Sequence, residues 1–242
     1  MEPDLKPFPT DFSSVLAIVA HPDDLEFGSA SAIARWTEEG KTVNYVLVTS
    51  GEAGIDGLTP EECKPIREAE QRASAAVVGV TSVEFLGYRD GVVEYSLDLR
   101  RDLARCIRIH QPDLVLTGNR HATWPGGGGF NMADHRHVGL AVLDAARDAA
   151  NRWIFPELID EGFEPWSGVR RVALASSPLA THAVDITGYL PKGIESLEAH
   201  AQYMAGLGSS WPPADMFLTA RAEADGPRLG VEHAVTFEVV DL

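Results

Sequence analysis

Residues 14 to 20, SVLAIVA, run apolar without interruption between polar neighbours, which is the pattern of a strand covered on both faces. Residues 27 to 40 carry apolar positions at helical spacing and stop at Gly40. Residues 43 to 49, VNYVLVT, then read as a second strand,. This is the opening of a βαβ unit.

The alternation continues down the chain. It predicts a helix at 61 to 78, a strand at 82 to 87, a helix at 97 to 109 and a strand at 113 to 117. A loop follows from 118 to 133, carrying Pro125 and the run Gly126 to Gly129, and then a long helix from 134 to 152,. Strands at 170 to 176 and 181 to 186, a helix at 192 to 206, a surface loop at 206 to 215 and a closing strand at 233 to 240 complete the reading. The implied fold is α/β, with a mostly parallel, Rossmann-like sheet flanked by helices. With no repeat or clean linker, residues 1 to 242 read as one domain.

Composition agrees with a folded globular chain: 242 residues, 45% hydrophobic and 23% charged,. The charge is more restrictive. With 36 acidic against 20 basic residues the net charge is -16, which disfavours nucleic acid and anionic membrane as partners. Cys63 and Cys106 lie far apart and outside any CxxC pattern, so a reduced, cytoplasmic setting without disulfides is expected. No run of about 18 apolar residues predicts a membrane span, and the acidic, Pro-rich start does not resemble a signal peptide.

The informative residues follow the first strand: His21, Pro22, Asp23 and Asp24. In an open α/β sheet, ligands bind at the carboxyl ends of the strands. An imidazole and two adjacent carboxylates there can supply metal ligands and a proton acceptor, while Pro22 stiffens the turn. The plainer reading of Asp-Asp before a helix is an N-cap. A second cluster, Asp134, His135 and His137, should reach the same sheet edge from the strand at 113 to 117. Catalytic zinc favours three protein ligands and one water, which His21, Asp24 and His135 can provide. Water held by such an ion falls from a pKa of about 16 toward about 7, and Asp23 is placed to take its proton. Spacing alone thus implies a metal-assisted hydrolase of unspecified target.

The segment AHPDD, with a downstream DH opening a later helix, resembles the LmbE-like, or PIG-L, family of zinc-dependent N-acetylglucosaminyl deacetylases. GEAG after the second strand, Arg67 and Glu70 in an RxxE pattern, FLGYRDG at 85 to 91 and AHAQ at 199 to 202 extend the likeness over most of the chain. The resemblance implies His21, Asp24 and His135 as ligands of Zn2+ or another divalent metal, and Asp23 as general base. It further implies that Asp134 orients a neighbouring group and that Arg67 and Asp90 contact an amino-sugar substrate. Without the resemblance, Arg67 and Glu70 read as a surface pair on a helix and Asp90-Gly91 as a turn.

The family pattern before the helix is HPDH. Here the corresponding residues are Met132, Ala133, Asp134 and His135, so the first histidine, which should stabilise an oxyanion, is replaced by a thioether that donates no hydrogen bond. Loss of such a donor costs on the order of 10²–10³ in rate. His200 is the leading substitute, followed by His137, His121, Tyr88 and Arg120; His137 is expected to turn toward solvent. Trp124 is placed either to stack on a sugar or to anchor the Gly-rich loop. The expected activity is removal of an N-acetyl group from an N-acetylglucosaminyl conjugate, in a protein capable of homo-oligomerising. Alternatives are an amidase of a larger glycoside conjugate and a metal- or sugar-binding homologue without turnover.

Overall fold

A computed structural model describes residues 4–127, 129–208 and 211–242. Gly128 of the Gly-rich run, and Ser209 and Ser210 of the loop expected at 206 to 215, lie outside the described residues. Eight strands form one sheet: β1 (Lys6–Pro7), β2 (Ser14–Val19), β3 (Thr42–Thr49), β4 (Ser82–Tyr88), β5 (Leu114–Thr117), β6 (Arg171–Ala175), β7 (His182–Asp185) and β8 (Ala234–Asp241). Their order across the sheet is β1-β7-β8-β6-β5-β2-β3-β4. All pairings are parallel except those of β8 with β6 and β7.

The continuous apolar run of β2 has a direct structural cause. Val15, Ala17 and Val19 face a core shared with Ile33, Trp36, Leu190 and Phe237. Leu16, Ile18 and Ala20 face the opposite core, with Leu103, Ile107, Val138 and Val142. From Val15 to Ala20 both faces are dry, and no position there is polar. Each such fully buried aliphatic side chain contributes about 1.5–3 kcal/mol.

Nine helices are described. On one face of the sheet lie α2 (Ala30–Glu38), α3 (Pro60–Val77), α7 (Leu190–Glu198) and α9 (Ala214–Leu229), and on the other α4 (Leu97–His110) and α5 (Ala133–Asp148). The remaining three are short: α1 (Asp24–Gly28), α6 (Glu157–Asp160) and α8 (Ala201–Gly206). The start of α3 is fixed by a capping box, in which Thr59 Oγ1 accepts from the Glu62 amide and Glu62 accepts from the Thr59 amide, with Pro60 at the first helical position,.

The helix read at 27 to 40 is two helices. Ser29 ends α1 by donating both its amide and its Oγ to the Leu25 carbonyl. The helix read at 192 to 206 likewise breaks at His200, whose ψ of 48° is not helical. The long helix read at 134 to 152 ends at Asp148. The described residues of the loop read at 118 to 133 contain a 3-10 turn, Pro125–Gly127, and an isolated bridge between Thr123 and Phe130. β1, α6 and α9 have no counterpart in the sequence reading. Gly226 and Pro227 lie inside α9, and a Cβ at Gly226 would lie 2.2 Å from the Glu232 carbonyl oxygen, so glycine is what lets the following segment pack against this helix.

Chain direction creates the crevice. From β2 the chain moves outward through β3 and β4, then returns to β5 on the other side of β2. Ligand sites in open α/β sheets form at such a reversal, outside the carboxyl ends of the strands. His21 leaves β2 at this point, and the segment carrying residues 119 to 135 leaves β5 beside it.

Candidate metal centre

His21 Nδ1 lies 3.1 Å from His135 Nε2, His135 Nε2 lies 2.9 Å from Asp24 Oδ1, and His21 Nδ1 lies 3.7 Å from Asp24 Oδ2. Tetrahedral zinc with bonds of about 2.0 Å places its ligand atoms about 3.3 Å apart, close to the spacing of His135 Nε2 from His21 Nδ1 and from Asp24 Oδ1, while Asp24 turns its other oxygen toward His21. These three residues form a group able to hold a metal ion.

The ring orientations fit a cation as well. His21 Nε2 faces Asp90 Oδ1 at 3.0 Å and Asp134 Oδ2 at 3.3 Å. A nitrogen between two carboxylates carries the proton, so in the neutral ring Nδ1 holds the lone pair. His135 Nδ1 is 2.9 Å from Asn131 Oδ1, which by the same logic leaves the lone pair on Nε2. Two imidazole lone pairs and a carboxylate thus face one another. That donor set requires positive charge at its centre, a metal or a proton in its place.

The titration behaviour of the cluster reflects the same demand. Burial opposes a charged His21, but the carboxylates of Asp134, Asp24 and Asp90 outweigh it and hold the ring well above the ordinary imidazole range. Burial likewise opposes a charged Asp24, and here His135 and His21 outweigh it and hold the carboxyl far below its usual range.

Asp23 stands beside this group and outside it. It precedes α1 but its side chain makes no capping bond, so the N-cap reading of Asp-Asp does not describe it. Its φ of 87° is left-handed, a conformation that costs a residue with a Cβ on the order of 1–3 kcal/mol. Arg67 Nη2 donates to Asp23 Oδ2 at 2.6 Å and to the Pro22 carbonyl at 2.6 Å. Burial pushes the Asp23 carboxyl up, the Arg67 charge pulls it back and the Asp24 charge pushes it up again, with a raised value as the result.

The structure therefore brings His21, Asp23, Asp24, Arg67, Asp90, Asp134 and His135 together. Asp134 is fully buried and accepts from the Gly91 and Val93 amides as well as facing His21. Asp90 turns inward: Oδ1 meets His21 and Oδ2 accepts from the Ala53 amide at 2.8 Å, so both oxygens are occupied by the protein. Arg67 and Glu70 are no surface pair. Both are buried, and Glu70 Oε1 accepts from the Gln202 amide at 2.6 Å. His200 does not join the cluster. It is fully buried, and its Nε2 stands 3.7 Å from Glu26 Oε2, too far for a hydrogen bond.

Three groups went unread in the sequence. Asn131, which is buried, orients His135 and also donates to the carbonyls of Asn119 and His121. Tyr203 stacks its ring 3.7 Å from the Arg67 guanidinium carbon. Gln71 accepts from the Asp23 amide at 3.0 Å. For Asn131 and Gln71 a signal existed, since each lies four residues from a site residue on its own segment, His135 and Arg67.

Residues 16–146 match the family described as GlcNAc-PI de-N-acetylase. The chain belongs to this family, PIG-L. Among PIG-L-like relatives, a diacetylchitobiose deacetylase of Thermococcus kodakarensis is 27% identical over 211 residues, covering 86% of this chain and 76% of that protein. The N,N'-diacetylchitobiose deacetylase of Pyrococcus horikoshii, solved with an inhibitor, superposes with a TM-score of 0.85 at 26% identity, covering 96% of this chain and 85% of its own. A 4-carboxy-2-hydroxymuconate hydratase of Pseudomonas putida superposes with a TM-score of 0.73 at 20% identity, covering 95% and 97%. That likeness concerns the fold alone, and it shows that the PIG-L chemistry must be argued from the site.

Against the PIG-L pattern, Met132 occupies the residue before α5 and is 39% exposed. The other side chains considered as replacement donors have partners of their own. His137 Nδ1 faces the Val93 carbonyl at 2.7 Å and is half-buried rather than turned to solvent. His121 and Arg120 both meet Glu238, and the Tyr88 hydroxyl donates to Asp102. The Trp124 ring packs edge-on to His135 with centroids 5.6 Å apart, which puts an aromatic surface beside the metal-capable group.

Proposed function

We propose that the protein is a divalent-metal-dependent hydrolase that removes the N-acetyl group from an N-acetylglucosaminyl or related amino-sugar conjugate. The observation that carries this reading is the convergence of three metal-seeking acceptors, on His21, Asp24 and His135, next to a buried carboxyl that none of them uses. A bound ion, which we take to be zinc, supplies Lewis acidity toward the acetyl carbonyl and toward water.

This chain's own residues supply the rest. Arg67 holds Asp23 Oδ2, and we assign the other oxygen, Oδ1, to a water. Asp23 takes the proton from that water as it attacks the carbonyl carbon. It then delivers the proton to the departing amine nitrogen as the C–N bond breaks, so one carboxyl serves as base and then as acid. Asp134, Asp90 and Asn131 fix the histidine rings so that the correct nitrogens face inward. Trp124 offers a flat face for the sugar.

A larger conjugate is the second reading. Phe130 and Met132, 71% and 39% exposed, flank Asn131 on the segment entering α5, where an apolar aglycone would rest. Among the described residues no helix is long and apolar enough to cross a membrane. Cys63 and Cys106 are buried free thiols, which accords with a reducing cytoplasm.

The test is amine release from N-acetylglucosamine and N,N'-diacetylchitobiose by zinc-loaded protein. Release by the wild-type chain is expected, with an Asp23→Asn variant losing about 10²–10⁴ in kcat at unchanged metal content. Equal turnover by the two proteins would overturn the assignment of Asp23.

A further inference from the structure

Arg67 and Gln71 lie one turn apart on the same face of α3, and both reach Asp23. Arg67 holds the carboxylate. Gln71 holds the peptide, its Oε1 accepting from the Asp23 amide at 3.0 Å. That amide belongs to the residue with φ of 87°, so the one hydrogen bond that satisfies it also stabilises the left-handed turn that aims the side chain.

A glutamine can face either way, and end-for-end reversal would set its NH2 against the Asp23 amide, donor against donor. The far end of the side chain decides. Gln71 Nε2 donates to Glu26 Oε1 at 2.9 Å, and a carboxylate there is acceptor only. Glu26 is itself fixed, because Ser74 Oγ donates to the same oxygen, at 2.5 Å, while Ser74 and Ser196 hydroxyls lie 2.8 Å apart. Glu26, Gln71, Ser74 and Ser196 are all at most 1% exposed, so water cannot replace any of these bonds.

We propose that Gln71 is a positioning residue for Asp23 and that Glu26 sets its orientation. The inference rests on the reading of Asp23 as the proton acceptor. It goes beyond that reading by assigning the aim of the carboxyl to a buried relay, Glu26 to Gln71 to the Asp23 peptide, that touches neither substrate nor metal.

Gln71→Met keeps the length and bulk of the side chain and removes the acceptor. It is expected to lower kcat at least tenfold with KM within twofold and metal content unchanged. In a crystal structure of this variant, Asp23 is expected to leave its left-handed conformation or its contact with Arg67. Gln71→Glu restores an acceptor: the introduced carboxyl shares a proton with Glu26 and presents oxygen toward Asp23, so kcat is expected to return to within about threefold of wild type. Glu26→Gln frees the Gln71 amide to reverse and is expected to lower kcat in the same direction, which keeps the test open should Gln71→Met fail to fold. A folded, metal-loaded Gln71→Met protein with Asp23 unmoved and wild-type kcat overturns the proposal, as does a Gln71→Glu protein no better than Gln71→Met. Should the wild-type chain cleave no N-acetyl amino sugar, the functional reading fails by itself, and the position of Asp23 in the Gln71→Met crystal still decides this one.

Discussion

Two imidazole–carboxylate clusters sit near the carboxyl end of the sheet, built from the same residue types and opposite in character. In one, Glu238 on β8 is surrounded by donors: His121 Nε2 at 2.7 Å and Ser177 Oγ at 2.6 Å on one oxygen, Arg120 Nη2 at 3.3 Å on the other. Every acceptor there has a hydrogen to meet, and the cluster is closed. In the other, His21, Asp24 and His135 present acceptors to one another, because Asp90, Asp134 and Asn131 have claimed the ring protons from behind. A surplus of acceptors, rather than a gathering of histidine and acid, is what distinguishes a place for a cation.

The largest effect expected from this difference is on metal content. Wild-type protein dialysed against zinc and then against buffer should retain about one ion per chain by elemental analysis, as three-ligand catalytic sites do. His135→Ala and Asp24→Ala should retain almost none. Glu238→Gln should retain the wild-type amount, and loss of the ion in that variant would erase the distinction between the clusters.

Asn131 gives a finer test, since its contribution passes through His135. Removing such an outer partner typically weakens metal binding about 10–100-fold. Asn131→Ala should do so, and Asn131→Asp, which keeps an acceptor for His135 Nδ1, should recover most of the affinity in a competitive chelator titration. Equal loss in both variants would mean that Asn131 acts only through its bonds to the Asn119 and His121 carbonyls.

The two clusters were unequally legible in the sequence, for a physical reason. His21, Asp23 and Asp24 fall within four residues directly after an apolar run whose meaning is unambiguous, because β2 is buried on both faces. His135 follows a strand–loop pattern that must return to the same edge. Local order along the chain therefore carried the metal-capable group. Glu238 and Gln71 look like ordinary members of a strand and a helix, and only the packing of β8 beside β6, or of α3 over α1, shows what they face. The helix breaks at Ser29 and His200 escaped for a related reason: apolar spacing continues through each of them, and the break is made by one local turn. α9 has little apolar periodicity and carries Gly226-Pro227 near its end, so its packing against α7 and β8 is what shows it as a helix.

The smallest expected effect concerns the closed cluster and the sign of its response to pH. Burial works to raise the Glu238 carboxyl, but the bonds from Ser177 and His121 outweigh it and hold it below the ordinary glutamate range. A carboxyl lowered by folding stabilises the native state above the unfolded value of about 4.3, and that contribution is lost as pH falls through the folded value. Glu238→Gln should thus cost about 1 kcal/mol near pH 7, measured by urea denaturation. The gap to wild type should narrow on acidification below about pH 4, where the carboxyl is protonated first in the unfolded chain and then, as pH falls through its lowered value, in the native state. A gap that stays constant across this range would show that the charge on Glu238 contributes nothing and that its three donors are held by shape alone; the closed cluster would then differ from the open one in packing rather than in how its protons are shared.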